Sequence, residues 1–236
     1  MVYFCKQRWA GMKRKWLYIF LTLSVICLDA YPQGYFCEKE GTRLEYVRKE
    51  VKDGSFVWRF TGTLVKVTDI GLYKECTTES VFTKQNGKPL YRSSVLQTVR
   101  IDKQTGDVSV DVAGAMASYI KARAGLTATC TKVFSTLPAD AKPGDELNPV
   151  FAQAKVGPLT YDLKITDRKI LRFETLSVPA GTFDCVVLEE HKLEDGPGHH
   201  RDVINHTWYC KGVGYVRHDS YIDGKLDTSE ILYSIK

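Results

Sequence analysis

The chain has 236 residues, 44% of them hydrophobic and 26% charged, the proportions of an ordinary folded protein, which excludes a disordered, collagen-like or multi-pass membrane chain. Its 33 Lys and Arg against 28 Asp and Glu give a formal charge of +5. The excess sits at the start, where Lys6, Arg8, Lys13, Arg14 and Lys15 face only Asp29, leaving 28 basic and 27 acidic residues over 31–236. Proteins that neutralise phosphates gather a surplus of cations on one face, so nucleic acid is not an expected partner of this body.

Lys13-Arg14-Lys15 is followed by an apolar run from Trp16 to Leu28. A charged segment followed by a short apolar one is the order of a secretory signal, and the run falls short of the roughly 20 residues that span a bilayer. Residues 1–30 are therefore expected to be a signal peptide with cleavage after Ala30. An uncleaved anchor is the alternative, since Leu28 is large for its place before the cleavage point. Met12 is a candidate true start. Cys27 follows Ile26, which is bulkier than lipoprotein processing prefers, and reads as an apolar member of the run.

Residues 31–236 are expected to form one β-rich domain. Turn signals recur at Asp53-Gly54, Asn86-Gly87, Thr105-Gly106, Asp195-Gly196 and Asp223-Gly224, pairs that supply the positive φ of tight hairpins. Between them lie runs rich in β-branched and aromatic residues at 42–51, 56–70, 72–84, 88–101, 107–112, 160–178, 183–194, 201–210, 213–222 and 225–235. The pattern predicts an antiparallel meander. Phe56, Trp58 and Phe60 share one parity, which switches after Gly62 to Val65 and Val67; a switch at a glycine marks a β-bulge. A long sheet bent in this way curls into a barrel or half-barrel, with a β-sandwich as the alternative. The alanine-rich segment 113–124 places Met116, Tyr119, Ile120 and Arg123 at helical spacing and predicts one short helix ending at Gly125. Residues 136–158 hold Pro138, Pro143, Pro149 and Pro158 and read as an irregular crossover.

Beyond the signal, Cys37, Cys76, Cys130, Cys185 and Cys210 remain, an odd number in a compartment that permits disulfides. A hairpin centred between Pro197 and Gly198 sets Cys185 directly opposite Cys210, close enough for a disulfide in a non-hydrogen-bonded pair. Cys185–Cys210 is therefore the structural disulfide candidate, with two buried thiols as the alternative; Cys37, Cys76 and Cys130 have no assigned pairing.

His191, His199, His200 and His206 cluster among Glu189, Asp195 and Asp202, types that bind transition metals. No ligand spacing of known specificity accompanies them, so no metal, cofactor or catalytic residue is assigned. Gly212 and Gly214 resemble half a dinucleotide fingerprint, but no helix follows and a strand bend is the better account. The aromatics Trp58, Phe60, Tyr161, Phe173, Trp208, Tyr209 and Tyr215 read as core; a half-closed sheet would also leave an open apolar concave face able to hold a lipid or another hydrophobic partner.

The run Val178-Pro179-Ala180-Gly181-Thr182-Phe183, then Trp208-Tyr209-Cys210-Lys211-Gly212-Val213-Gly214 and an Asp223-Gly224-Lys225 hairpin, resembles the TapB-like family of exported Bacteroidetes proteins, as does Lys142-Pro143-Gly144-Asp145-Glu146-Leu147. The similarity covers about residues 135–235. The resemblance implies a curled antiparallel sheet in the bacterial envelope and carries no catalytic residues. Cys210 departs from it, standing where a small residue is usual. The leading expectation is an exported, non-catalytic protein, periplasmic or at the cell surface, that binds a hydrophobic ligand or an envelope partner. The alternatives are a hydrolase using Glu189, His191 and His206, and a structural or adhesive surface protein.

Overall fold

The computed structural model describes residues 32–236; the signal segment, with Met12, Cys27 and the cleavage point at Ala30, lies outside the described residues. In chain order the strands are β1 (Arg43–Glu50), β2 (Phe56–Ile70), β3 (Tyr73–Thr83), β4 (Val95–Asp102) and β5 (Val108–Asp111), then helix α1 (Val112–Ala124), then β6 (Thr129–Cys130), β7 (Phe134–Leu137), β8 (Glu146–Leu147), β9 (Val150–Val156), β10 (Leu159–Val178), β11 (Gly181–Gly196), β12 (His199–Cys210), β13 (Gly214–Ile222) and β14 (Lys225–Ile235). They form one antiparallel sheet in the order β6-β9-β10-β11-β12-β13-β14-β1-β2-β3-β4-β5-β7, with β8 beside β10. No ladder joins β6 to β7, so the sheet is an open half-barrel, as the meander of turn signals predicts.

The curl comes from bulges. In β2 the register slips between Leu64 and Lys66, leaving Leu64 buried and Val65 turned outward. The parity switch read at Gly62 is real, but the extra residue is Val65. In β10 the register skips Asp167 and Arg168, and Asp167 takes a φ of 50°. Ile165 before the skip, Arg168 within it and Ile170 beyond it all face inward as a result. This turns the Arg168 guanidinium onto Glu190 at 2.7 Å and onto the carbonyls of Asn148 and Thr136. The Thr136 carbonyl belongs to β7, so a side chain rather than a strand ladder ties the two ends of the sheet. Helix α1 reinforces the join, packing Ala113 against Val150 and Ala152 of β9 and Leu163 and Ile165 of β10. Its start is fixed by Asp111, whose carboxylate accepts from the Gly114 amide, and its end by Gly125 at φ 76°, the left-handed C-terminal position that glycine adopts without strain.

Two of the expected runs are redrawn. The strand read over 88–101 begins only at Val95; Pro89 makes one bridge to Thr83 and the chain then bends. The irregular crossover at 136–158 contains β9, an edge-side strand paired with β10 from Val156↔Leu159 to Val150↔Ile165. Pro149 and Pro158 flank that strand without interrupting it, where a missing N–H costs no ladder bond.

Segments of β11 are buried on both faces. Cys185 and Val187 pack with Trp208, Val216 and Leu232, while Val186 and Leu188 pack with Tyr35, Leu137 and Ile170. Burial on both faces explains the unbroken apolar run there.

Candidate functional site: the cavity of the half-barrel

Alternation along each strand sends every second side chain into the curl. On β12 these are Asn205, Thr207 and Tyr209; on β11, Leu188, Glu190 and Lys192; on β1, Leu44, Tyr46 and Arg48; on β2, Trp58 and Phe60. They enclose a cavity of about 490 Å³, a size ordinary for small-molecule sites.

Its apolar wall is an ordered row of rings. Tyr215 stacks on Tyr46 at 4.5 Å between centroids, Tyr46 on Phe60 at 4.7 Å, and Phe60 on Phe82 at 5.0 Å. Outside the lining, Tyr91 meets Phe82 at 5.0 Å and Tyr119 of α1 edge-on. The stacks fall within the centroid range at which aromatic pairs add to simple burial. Gly62 leaves this wall thin: a Cβ there would meet nothing closer than the Ser80 Oγ at 3.6 Å.

One end is closed by the segment 32–37. Pro32 lies against Gly106 in the β4–β5 turn, and the Gly34 carbonyl accepts from the Gly212 amide in the β12–β13 turn at 2.8 Å. Directly after those anchors Tyr35 is buried, and Tyr35, Phe36 and Cys37 contribute to the lining. The far end is polar. Glu230 accepts from Trp58 Nε1 at 2.8 Å and Tyr215 Oη at 3.0 Å. Arg48 Nη2 donates to Ser220 Oγ at 3.1 Å and Thr228 Oγ1 at 2.6 Å. Ser220 Oγ donates to Asn205 Oδ1, and Thr207 Oγ1 lies 2.9 Å from His218 Nδ1. Burial pushes the Glu230 carboxyl above its usual range. Burial first, and then the charges of Arg48, Lys192 and Arg201, lower the His218 imidazole to about 3, so it is neutral at physiological pH.

The residues singled out in the sequence fall elsewhere. All twelve β11–β12 pairs follow the turn at Pro197–Gly198, and Cys185 faces Cys210. Both are free thiols here, with Sγ atoms 3.5 Å from the carbonyls of Phe183 and Lys211. Glu189 Oε2 and His206 Nε2 are 2.7 Å apart, and His191 Nε2 is 2.6 Å from Asp202 Oδ1. These pairs occupy the outer face, away from the cavity. The nearby buried Asp219 is held by Arg217 and Ser229, and among the described residues neither imidazole hydrogen-bonds a hydroxyl or thiol. His191, His199 and His200 share a surface cleft of about 690 Å³ with Asp202 and Tyr221, while His206 is not part of it. Among the described residues no three His, Cys, Asp or Glu side chains gather as a metal ion would need. Arg48, His218 and Glu230, which shape the cavity's polar end, were not singled out in the sequence.

The fold of the chain has counterparts among solved structures. A candidate exported protein with a YmcC-like fold from Bacteroides fragilis NCTC 9343 superposes with a TM-score of 0.69 at 19% identity, over 86% of this chain and 99% of that one. A candidate lipoprotein from Parabacteroides distasonis ATCC 8503 gives 0.68 at 20% identity with the same coverage. At such identity the likeness is one of fold. No curated protein matches the chain. The DUF3108-like family model matches residues 39–232, and the chain belongs to that family. None of these comparisons carries the narrower TapB-like name.

Proposed function

We propose that the protein is an exported, non-catalytic binding protein of the bacterial envelope whose half-barrel holds a hydrophobic ligand. The observation that carries this reading is the cavity: a curled sheet of this size could have filled its interior with side chains, and this one instead lines about 490 Å³ with stacked aromatic rings and aliphatic residues. Export is supported by the charged and then apolar order of residues 13–28 and by the descriptions of the two similarly folded proteins. The TapB-like resemblance at Val178–Phe183 agrees with it. Removing about 300 Å² of apolar ligand surface from water is worth roughly 7 kcal/mol before the cost of association is subtracted, so burial alone sets about 10 micromolar as the tightest dissociation constant it could supply.

The test is titration with a naphthylamine dye that fluoresces in apolar surroundings. The wild-type protein should enhance its emission saturably, and Gly62→Leu, which fills cavity space from a position with room for a Cβ, should weaken binding about tenfold while leaving the fold's circular dichroism unchanged. Equal binding by both proteins would place the dye elsewhere and remove the support.

A further inference from the structure

The chemistry of the ligand can be narrowed from the charges at the polar end, given the cavity reading above, on which this inference rests. Three cations there already have carboxylate partners: Arg168 with Glu190, Lys192 with Glu194, and Arg201 with Asp227 at 3.5 Å. Arg48 and Glu230 remain. Each oxygen of Glu230 is engaged by a neutral donor, Trp58 or Tyr215. Arg48 is engaged differently. Its Nη2 supplies two hydroxyls and its guanidinium lies 4.8 Å above the Trp58 ring. Among the described residues its Nε and Nη1 donate to no protein acceptor, and no carboxylate is in ion-pair contact with it. A guanidinium does not shed its proton in proteins. Arg48 lines the cavity, and it brings there a fixed positive charge and a planar edge of free N–H groups, the geometry that receives a carboxylate or phosphate.

Its surroundings reinforce that character. Lys192 and Arg201 lie close enough to act with Arg48 on His218, and Glu230, followed more weakly by Asp227, is the opposing influence on Arg48. The hydroxyls of Ser220, Thr228 and Thr207 stand on the same side. Along β1 the lining passes from Arg48 to Tyr46 and Leu44, and along β2 from Trp58 to Phe60 and Leu64, so the apolar surface begins where the polar cluster stops.

We propose that the cavity takes an anionic amphiphile, with its carboxylate or phosphate headgroup received by Arg48 and its tail lying along the Tyr46–Phe60 wall towards Tyr35. Both a free fatty acid and a lipid phosphate carry this chemistry.

The experiment compares three probes with one tail, dodecanoate, dodecyl phosphate and dodecanol, in displacing the naphthylamine dye from the purified protein. The two anions should bind about tenfold or more tightly than the alcohol, the scale of a charge-assisted hydrogen bond, and the tighter of the two names the headgroup source. Arg48→Met should abolish the preference while keeping dodecanol binding; Arg48→Lys should retain part of it. Equal binding of all three by the wild type would overturn the headgroup assignment and leave the cavity reading standing. Binding of none, with the dye itself unbound, would overturn both. The wild-type comparison decides the matter even if a substitution at Arg48 prevents folding.

Discussion

His218 shows how one inward-facing side chain couples the cavity to solution conditions. Its imidazole is under the sheet beside Arg48, Lys192 and Arg201, with Thr207 at Nδ1, and every one of those cations opposes its protonation. The folded value of about 3 lies below the ordinary 6.5. The unfolded chain therefore takes up a proton at a pH where the folded one does not. Its contribution is fully present above about pH 6.5 and is lost as pH falls towards 3, at about 1.4 kcal/mol per pH unit. Denaturant titrations at pH 7 and pH 5 should show a smaller drop for His218→Gln than for the wild type; identical drops would mean that His218 is accessible to protons in the folded state. The Cys185–Cys210 pair is the other residue-scale case. Counted from the two-residue turn at Pro197–Gly198, the pair falls at a non-hydrogen-bonded site, where Cα atoms approach to about 4.5 Å, at the short end of disulfide geometry. Burial, followed by the neighbouring Cys210, pushes the Cys185 thiol up to about 12, so little thiolate is present at neutral pH and closure by an external oxidant is slow there. After export under oxidising conditions we expect one linked 185/210 peptide pair in a non-reducing digest, and two alkylated thiols there would contradict it.

At the scale of elements, the segment 32–37 is the part most exposed to perturbation, because it crosses between two turns and belongs to no strand. It depends on Gly106, whose φ of 80° disfavours a side chain and whose Cβ, if present, would collide with the Pro32 carbonyl. Gly106→Ala should cost roughly 1–3 kcal/mol and raise hydrogen exchange at Tyr35 and Gly212, while strands β10 to β12 keep their protection; unchanged exchange at Tyr35 would show that the segment is held independently of that turn. Elements were legible in the sequence wherever a short turn set the register. The Pro197–Gly198 hairpin is the clearest, since one centre fixes every pair from Gly196↔His199 to Cys185↔Cys210. Strand β9 was hidden because Pro149 and Pro158 suggested irregularity, although both lie just outside it. The β10 bulge was hidden because Asp167, a non-glycine residue at positive φ, leaves no composition signal. The polar end of the cavity was illegible for a related reason. Arg48 and His218 sit in strands whose outward neighbours are also polar, such as Lys49 and Arg217, so alternation does not mark which of them face inward until the strands are paired.

For the whole molecule, the open sheet trades ladder closure for closure by side chains. Arg168 reaches β7, α1 covers β9 and β10, and Tyr35 caps one end. The interior is thereby enclosed without being filled, and the account stands on whether that space is occupied in the cell. Native mass spectrometry of the protein purified from its own envelope, released gently and without detergent exchange, measures this directly. The spectrum should show an adduct of one small acidic amphiphile per chain, displaced by dodecanoate and less populated in Gly62→Leu; a bare polypeptide mass that no added amphiphile shifts would contradict a ligand-binding interior.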